Sequence, residues 1–365
     1  MGAPLLEIEN LRTYFYSAGK QAFVRAVDGV TMTIARGETL GVVGESGSGK
    51  SVTALSSIGL ISGGPGVISG KVAFRAHEGE RNLLADLEDY VSLGEQDGRI
   101  MEVSKDETGW QEHVERIMAP VRGKEIAMIF QNPRSALNPF VTVGHQITEA
   151  IRLHTSTKDP RDVKERALHW LERVKMDSPR LRFDNYPYGL SGGMCQRAMI
   201  AMALSSEPSL LIADEPTTGL DATIQSKIIG LLADLKSEFK IATMLISHDI
   251  RVISRLADYV AVMYGGTVVE CGLAPDVLAA GFTPKHPYTA ALLASIPSAQ
   301  NARDHGDLPA IEGEVPDAID VPRGCRFYAR CNRVTDDIRS KCARREPELQ
   351  EVAPGHRVRC WLYGD

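Results

Sequence analysis

Gly44-Glu45-Ser46-Gly47-Ser48-Gly49-Lys50-Ser51 decides how the chain is read, because this stretch fits G-x-x-x-x-G-K-[ST], a phosphate-binding loop. Its flanks support the reading. Thr39-Leu-Gly-Val-Val43 is a short apolar run of strand character, and Ser51-Val-Thr-Ala-Leu-Ser-Ser-Ile58 can continue as a helix. Three glycines let the backbone curl so that successive N–H groups point inward, and a helix N-terminus adds its positive dipole end. Such a nest binds a polyphosphate. Lys50 then reaches the β- and γ-phosphates as a point charge, and the Ser51 hydroxyl ligates Mg²⁺.

With 365 residues, 43% of them hydrophobic, the chain can bury one large core and a smaller one. No run approaches the ~18 apolar residues of a membrane span, and Met-Gly-Ala-Pro-Leu-Leu-Glu lacks the basic-then-apolar pattern of a secretory signal. The chain is therefore expected to be neither secreted nor membrane-spanning. A net charge of -6 argues against a nucleic-acid binder held by bulk electrostatics. Four of the six cysteines, Cys325, Cys331, Cys342 and Cys360, fall near the C-terminus, and such clustering in a reducing compartment favours a metal site over disulfides.

Outward from the loop, residues 5–9 and 29–35 alternate apolar and polar, as half-buried antiparallel strands do. Between them Tyr14-Phe15-Tyr16 could stack a purine ring or pack under a strand. Residues 75–122 hold twelve Asp or Glu against six Lys or Arg, a net -6 equal to that of the whole chain. This segment reads as a surface insertion with a solvated acidic face. The spacing of Leu83, Leu84, Leu87, Tyr90 and Val91 is roughly helical, so local folding is expected. Beyond it, residues 125–130, 210–213 and 241–246 read as buried strands, alternating with helical patterns over 142–175, 195–204 and 223–235. Strand and helix alternation predicts an α/β fold with a mainly parallel sheet, and the polar residues at strand ends mark the ligand edge.

A phosphate loop alone leaves kinases, GTPases and helicases open. Leu190-Ser-Gly-Gly-Met194, then Gln196-Arg197 and the strand ending in Asp214-Glu215, resembles the signature and following strand of ATP-binding cassette (ABC) ATPases. Gln131 resembles the Q-loop glutamine, Thr218-Gly-Leu-Asp221 the D-loop and His248 the switch histidine. The likeness spans about residues 5 to 280. It implies an ABC-type P-loop core, with a RecA-like mixed sheet, an antiparallel β subdomain and a helical signature subdomain over about 132–204.

Phosphoryl transfer needs positioning and charge neutralisation, which gives each residue a role. On the resemblance, Glu215 polarises the attacking water, and His248 and Gln131 touch the γ-phosphate and the water. ATP is then held by Phe15, Gly44, Glu45, Ser46, Gly47, Ser48, Gly49, Lys50, Ser51, Val52, Gln131, Asp214 and His248, with Mg²⁺ on Ser51, Gln131 and Asp214. Ser191, Gly192, Gly193, Met194 and Asp221 are expected to contact ATP bound by a second cassette in a head-to-tail dimer.

Phe130-Gln-Asn-Pro-Arg-Ser-Ala-Leu-Asn-Pro139 and Pro284-Lys-His-Pro-Tyr-Thr-Ala-Ala-Leu-Leu-Ala-Ser-Ile-Pro297 are similar to segments of the dipeptide and oligopeptide importer ATPases. That likeness divides the chain into a cassette at 1–282 and an extension at 283–365. It implies a peripheral subunit on the cytoplasmic face of the membrane, working with two permease subunits, a second cassette of a different sequence and, indirectly, an extracytoplasmic binding protein. Nickel and other small solutes are alternative cargoes, and a soluble ABC ATPase acting on nucleic acid is the alternative of another class. No nucleic acid is expected as a partner. For the tail, four thiolates suit zinc or an iron–sulfur cluster, while free buried thiols remain a third reading. The resemblance implies a [4Fe–4S] cluster on Cys325, Cys331, Cys342 and Cys360. Cys195 and Cys271 read as small core residues.

Overall fold

The structure is a computed structural model that describes residues 3–76, 79–279, 285–296 and 311–364. Its first strands, β1 (Pro4–Ser17) and β2 (Ala22–Ala35), form a long antiparallel pair in which Leu6 faces Ile34 and Ile8 faces Met32. β3 (Thr39–Val43) leads through the phosphate loop into α1 (Lys50–Ser57), and β4 (Pro65–Ala76) returns to pair with β1. With β5 (Gly79–Asn82) these make a four-stranded antiparallel sheet, β2-β1-β4-β5.

The acidic segment is folded, but not as a helix at the spacing expected. Only Leu87–Tyr90 forms a short 3₁₀ turn, and Val91 begins a hairpin of β6 (Val91–Gln96) and β7 (Arg99–Lys105). α2 (Glu107–Met118) follows, capped by the Asp106 carboxylate, which accepts from Gly109 N–H at 3.0 Å. Leu83, Leu84 and Leu87 are buried with Trp110, Val114 and Met118 against the four-stranded sheet. The described acidic residues face solvent over an apolar underside. Period counting failed because these apolar residues come from a turn, a 3₁₀ turn and a strand in succession.

The remaining elements build the main sheet and its helical cover: β8 (Ile126–Ile129), α3 (Pro133–Ala136), α4 (Val143–His154), α5 (Pro160–Arg173), α6 (Pro179–Phe183) and α7 (Gly192–Leu204). β9 (Leu210–Asp214), α8 (Ala222–Phe239), β10 (Ala242–Ile246), α9 (Ile250–Leu256), β11 (Tyr259–Tyr264) and β12 (Thr267–Leu273) complete it. The helical pattern over 142–175 divides at Asp159, whose carboxylate caps α5 by accepting from Arg161 N–H at 2.8 Å, with Pro160 at the first helical position.

Eight strands form one sheet, in the order β13-β14-β12-β11-β3-β10-β9-β8, and pairing is parallel from β11 across to β8. Alternate residues of these strands enter two different cores. Ile212, Met244 and Ala261 pack with the four-stranded sheet and α1, whereas Ala213, Leu245 and Val260 pack beneath the helices α4, α5, α7 and α8. Burial on both faces is why these strands read as continuous apolar runs.

After α10 (Ala274–Leu278) come α11 (Pro287–Ala294), α12 (Asp336–Arg344), β13 (Gln350–Ala353) and β14 (His356–Val358). β14 pairs antiparallel with β12, Val358 opposite Glu270, so the chain's last strands extend the main sheet. A metal centre does not organise this region, which corrects the iron–sulfur and zinc readings. All six cysteines are free thiols, and among the described residues no three His, Cys, Asp or Glu side chains are arranged to hold a metal ion. Burial pushes the Cys325 thiol up to about 12 and Cys360 to about 11, so as free thiols both are protonated at neutral pH.

The tail is ordered by other means. Trp361 packs on Ile338 and Cys342, and its indole N–H donates to the Arg345 carbonyl at 2.9 Å. The buried Arg326 guanidinium lies between Asp28 at 2.8 Å and Glu346 at 3.2 Å, tying the tail to β2. Cys195 is fully buried on the inner face of α7, while Cys271 is half-buried in β12.

Candidate active site

Gly44 and Gly49 are glycine for steric reasons at the loop. Gly44 has φ 155°, and a Cβ there would meet the Met263 carbonyl at 2.2 Å; at Gly49, φ 96°, it would meet the Ala26 carbonyl at 2.4 Å. The loop is therefore pressed against β11 and β2, with Gly49 as the cap of α1. Lys50 is 6% exposed and folds back over the loop, donating to the Gly44 carbonyl at 2.8 Å and the Glu45 carbonyl at 2.9 Å. Burial lowers its pKa, opposed by the nearby Glu215, Asp214 and Glu45 carboxylates. Its carbonyl partners are the kind of acceptors that a polyphosphate oxygen would replace.

Ser51 Oγ donates to Asp214 Oδ1 at 2.9 Å, bringing the start of α1 to the C-terminal end of β9. Asp214 is buried, and that burial raises its pKa. A hydroxyl and a carboxylate side by side at the mouth of a phosphate loop are hard oxygen donors and fit Mg²⁺.

Glu215 follows directly, with φ 45°, a left-handed conformation unusual for a residue with a side chain. Its N–H is held by the Ile246 carbonyl at 2.9 Å, and the turn projects its carboxylate away from the strand. Oε2 accepts from Thr218 Oγ1 at 2.8 Å and from Gln131 Nε2 at 3.0 Å, and Oε1 lies 3.2 Å from His248 Nδ1. Burial pushes this carboxyl up, but the Thr218 and His248 hydrogen bonds outweigh it and the net shift is downward. Glu215 is thus ionised at neutral pH. Gln131, Asp214, Glu215 and His248 converge from the C-terminal ends of three strands, β8, β9 and β10, with Asp214 and Glu215 both at the end of β9.

Ser191 caps α7, accepting from Met194 N–H at 3.3 Å, and Asp221 caps α8, accepting from Thr223 and Ile224 N–H at 3.1 and 3.0 Å. Gly193 is pressed on Ile224, where a Cβ would come within 2.7 Å, so the two helix starts are packed together. Both caps are solvent-exposed. Of the three aromatics, Tyr14 is buried with its hydroxyl on Asp28 at 2.7 Å, Phe15 lies beside Gly63 past the end of α1, and Tyr16 is 52% exposed.

Three participants went unread in the sequence. Thr218 stood in a quoted motif, but its hydroxyl on Glu215 required the fold. Tyr288 on α11 accepts from Glu45 N–H at 2.8 Å, and Arg330 pairs with the Glu45 carboxylate through two bonds at 2.8 and 3.1 Å. Nothing local marks either, since Arg330 is 285 residues from its partner.

Residues 27–218 match the family described as "ABC transporter", and residues 269–337 match "Oligopeptide/dipeptide transporter, C-terminal region". This chain belongs to the ABC transporter ATPases. It is 42% identical over 359 residues to the oligopeptide transport ATP-binding protein AppD of Bacillus subtilis, covering 98% of this chain and 97% of that one. Identity to the dipeptide transport ATP-binding protein DppD of Escherichia coli is 40%, covering 98% of this chain and 96% of that one. Among solved structures, the dimeric cassette MJ0796 is matched with TM-score 0.57 at 24% identity, over 76% of this chain and all of that one, a likeness of fold. The cassette fold of mixed sheets and the ATPase class follow from the family.

Proposed function

We propose that the cassette binds and hydrolyses ATP to energise import of dipeptides or oligopeptides through a membrane permease. The observation that carries the enzymatic part is the Glu215 carboxylate, ionised, held by Thr218, Gln131 and His248, and next in sequence to the Asp214–Ser51 pair. Glu215 takes the proton of the attacking water as general base, and His248 and Gln131, already on that carboxylate, move to the γ-phosphate and the water when nucleotide enters. Lys50 exchanges its loop carbonyls for phosphate oxygens. Ser51 and Asp214 would hold Mg²⁺, with Gln131 completing the set; when bound, the ion neutralises charge on the phosphate oxygens.

The exposed start of α7 at Ser191 supports a head-to-tail dimer, because a helix N-terminus facing solvent suits phosphate held by another subunit, and Asp221 is exposed on the adjoining helix start. The second cassette is proposed to be a different chain. Two permease subunits are proposed as separate chains; among the described residues no helix is long and apolar enough to cross a membrane. Phe140, Leu153, Leu181 and Tyr188, 88, 69, 61 and 75% exposed, all lie in the helical segment between β8 and β9 and support docking there, on the cytoplasmic face. The peptide cargo rests on the names of the relatives and on the match at 269–337.

The test is ATP hydrolysis by the cassette assembled with its permease and partner cassette in lipid, with and without binding protein loaded with dipeptide. Stimulation by dipeptide is expected. Stimulation by nickel alone would replace the cargo, and stimulation by DNA in the absence of permease would remove the transport reading.

A further inference from the structure

The C-terminal extension grips the phosphate loop, and its grip is built around one side chain. Arg330 is 5% exposed, and all five of its guanidinium N–H groups meet acceptors. Nε donates to the Glu312 carbonyl at 2.9 Å and Nη2 to the Ile311 carbonyl at 3.1 Å, while Nη1 reaches the Tyr264 hydroxyl at 3.2 Å. The remaining two bonds form the fork on Glu45. The Tyr264 and Phe327 rings lie 5.7 and 5.9 Å from the guanidinium carbon and keep water away from it. Tyr288, fully buried against Tyr264 with ring centroids 4.6 Å apart, holds the Glu45 N–H. Both the charge and the backbone of Glu45 are thus governed from beyond residue 285.

Glu45 is the first residue of the loop after Gly44, and its carboxylate is an anion beside a site for anions. Unpaired, it would repel a polyphosphate and be free to swing across the loop mouth. Paired in a bidentate fork, its charge is neutralised and the loop backbone is held in one geometry. We infer that Arg330 is a positioning residue for the phosphate loop, through which the C-terminal extension sets the affinity of the cassette for ATP. The inference rests on the nucleotide reading of that loop. Arg330 touches no reacting atom, so its loss acts on binding and leaves the chemical step to Glu215.

The experiment is a double-mutant cycle in the assembled transporter, reading KM for ATP and kcat separately. R330A should raise KM about tenfold, the scale of one lost charge compensation, with kcat within about twofold. In the E45Q background the same R330A change should alter KM less than about twofold, because no carboxylate remains to be neutralised. A merely structural role for Arg330 would carry its full penalty into the E45Q background, and that result would overturn the inference. Unchanged KM in R330A would overturn it too. K50A serves as the control on the loop itself: weak ATP binding there with an inert R330A sinks only the extension's role, whereas tight binding in K50A sinks the nucleotide reading of the loop.

Discussion

The phosphate loop with its strand ends and the C-terminal extension meet at Glu45, yet they are specified in opposite ways. Around the loop the functional groups are placed mostly by local backbone geometry: Gly49 by its left-handed conformation at the start of α1, Ser191 and Asp221 by capping the helices that follow them. In the extension almost nothing is local. Val358 is placed by Glu270, Arg326 by Asp28, and Arg330 by Glu45, each from a distant part of the chain. Motif chemistry tolerates little drift in spacing, whereas a segment held by packing and ion pairs can carry its anchors at any spacing.

Four changes would break or sharpen that contrast. The largest effect is expected in the extension, where W361A should cost about 3 kcal/mol locally, as deletion of a buried aromatic does. Hydrogen exchange would read it as lost protection over residues 320–364, and full protection would mean that something other than Trp361 orders the tail. Next, at the loop, E215Q should retain ATP binding while lowering kcat by ~10² or more, since removal of a general base costs about that. Wild-type turnover at saturating ATP would end the general-base assignment.

Acid should act at the cap of α11, at the start of the extension. His286 caps α11, its Nδ1 accepting from Tyr288 N–H at 3.1 Å, which requires a neutral ring. Full burial, and secondarily the Arg359 charge, depress its pKa from 6.5 to about 3. Between those values the unfolded chain binds a proton that the folded chain refuses. Stability from this group is complete above pH 6.5 and is lost as pH falls toward 3, at up to ~1.4 kcal/mol per unit. Thermal melts should show the slope, and H286N, a cap that does not titrate, should flatten it; an unaltered slope would place the titration elsewhere. The smallest effect is expected for S191A, about 1 kcal/mol of helix stability from a lost cap. Denaturant unfolding that shows a loss greater than that of W361A would reverse the contrast between the regions.

Much of the site was legible from the chain. The phosphate loop between β3 and α1, the strand ending in Asp214 and the helix opened by Ser191 lie where the sequence pattern put them, and Gln131 and His248, named on the family resemblance, lie against Glu215. The acidic insertion was seen as folding locally, but its helical period was an accident of three successive non-helical pieces. The four tail cysteines invited a metal because they cluster near the C-terminus and the family resemblance implied a cluster there; strand pairing onto β12 and the Arg326 ion pairs order the tail instead.

By itself the sequence determined those parts whose geometry is set within a few residues: a left-handed glycine, a helix cap, an apolar run between two faces of cover. Only the tertiary structure decided that Thr218 and Gln131 share the Glu215 carboxylate, that the last strands join the main sheet, and that Arg330 and Tyr288 close on Glu45. The reason is physical. A backbone conformation leaves its mark on residue type at the position that adopts it, whereas a buried ion pair needs only opposite charges that the fold happens to bring together, and charged residues are too common along a chain for sequence to say which two will meet.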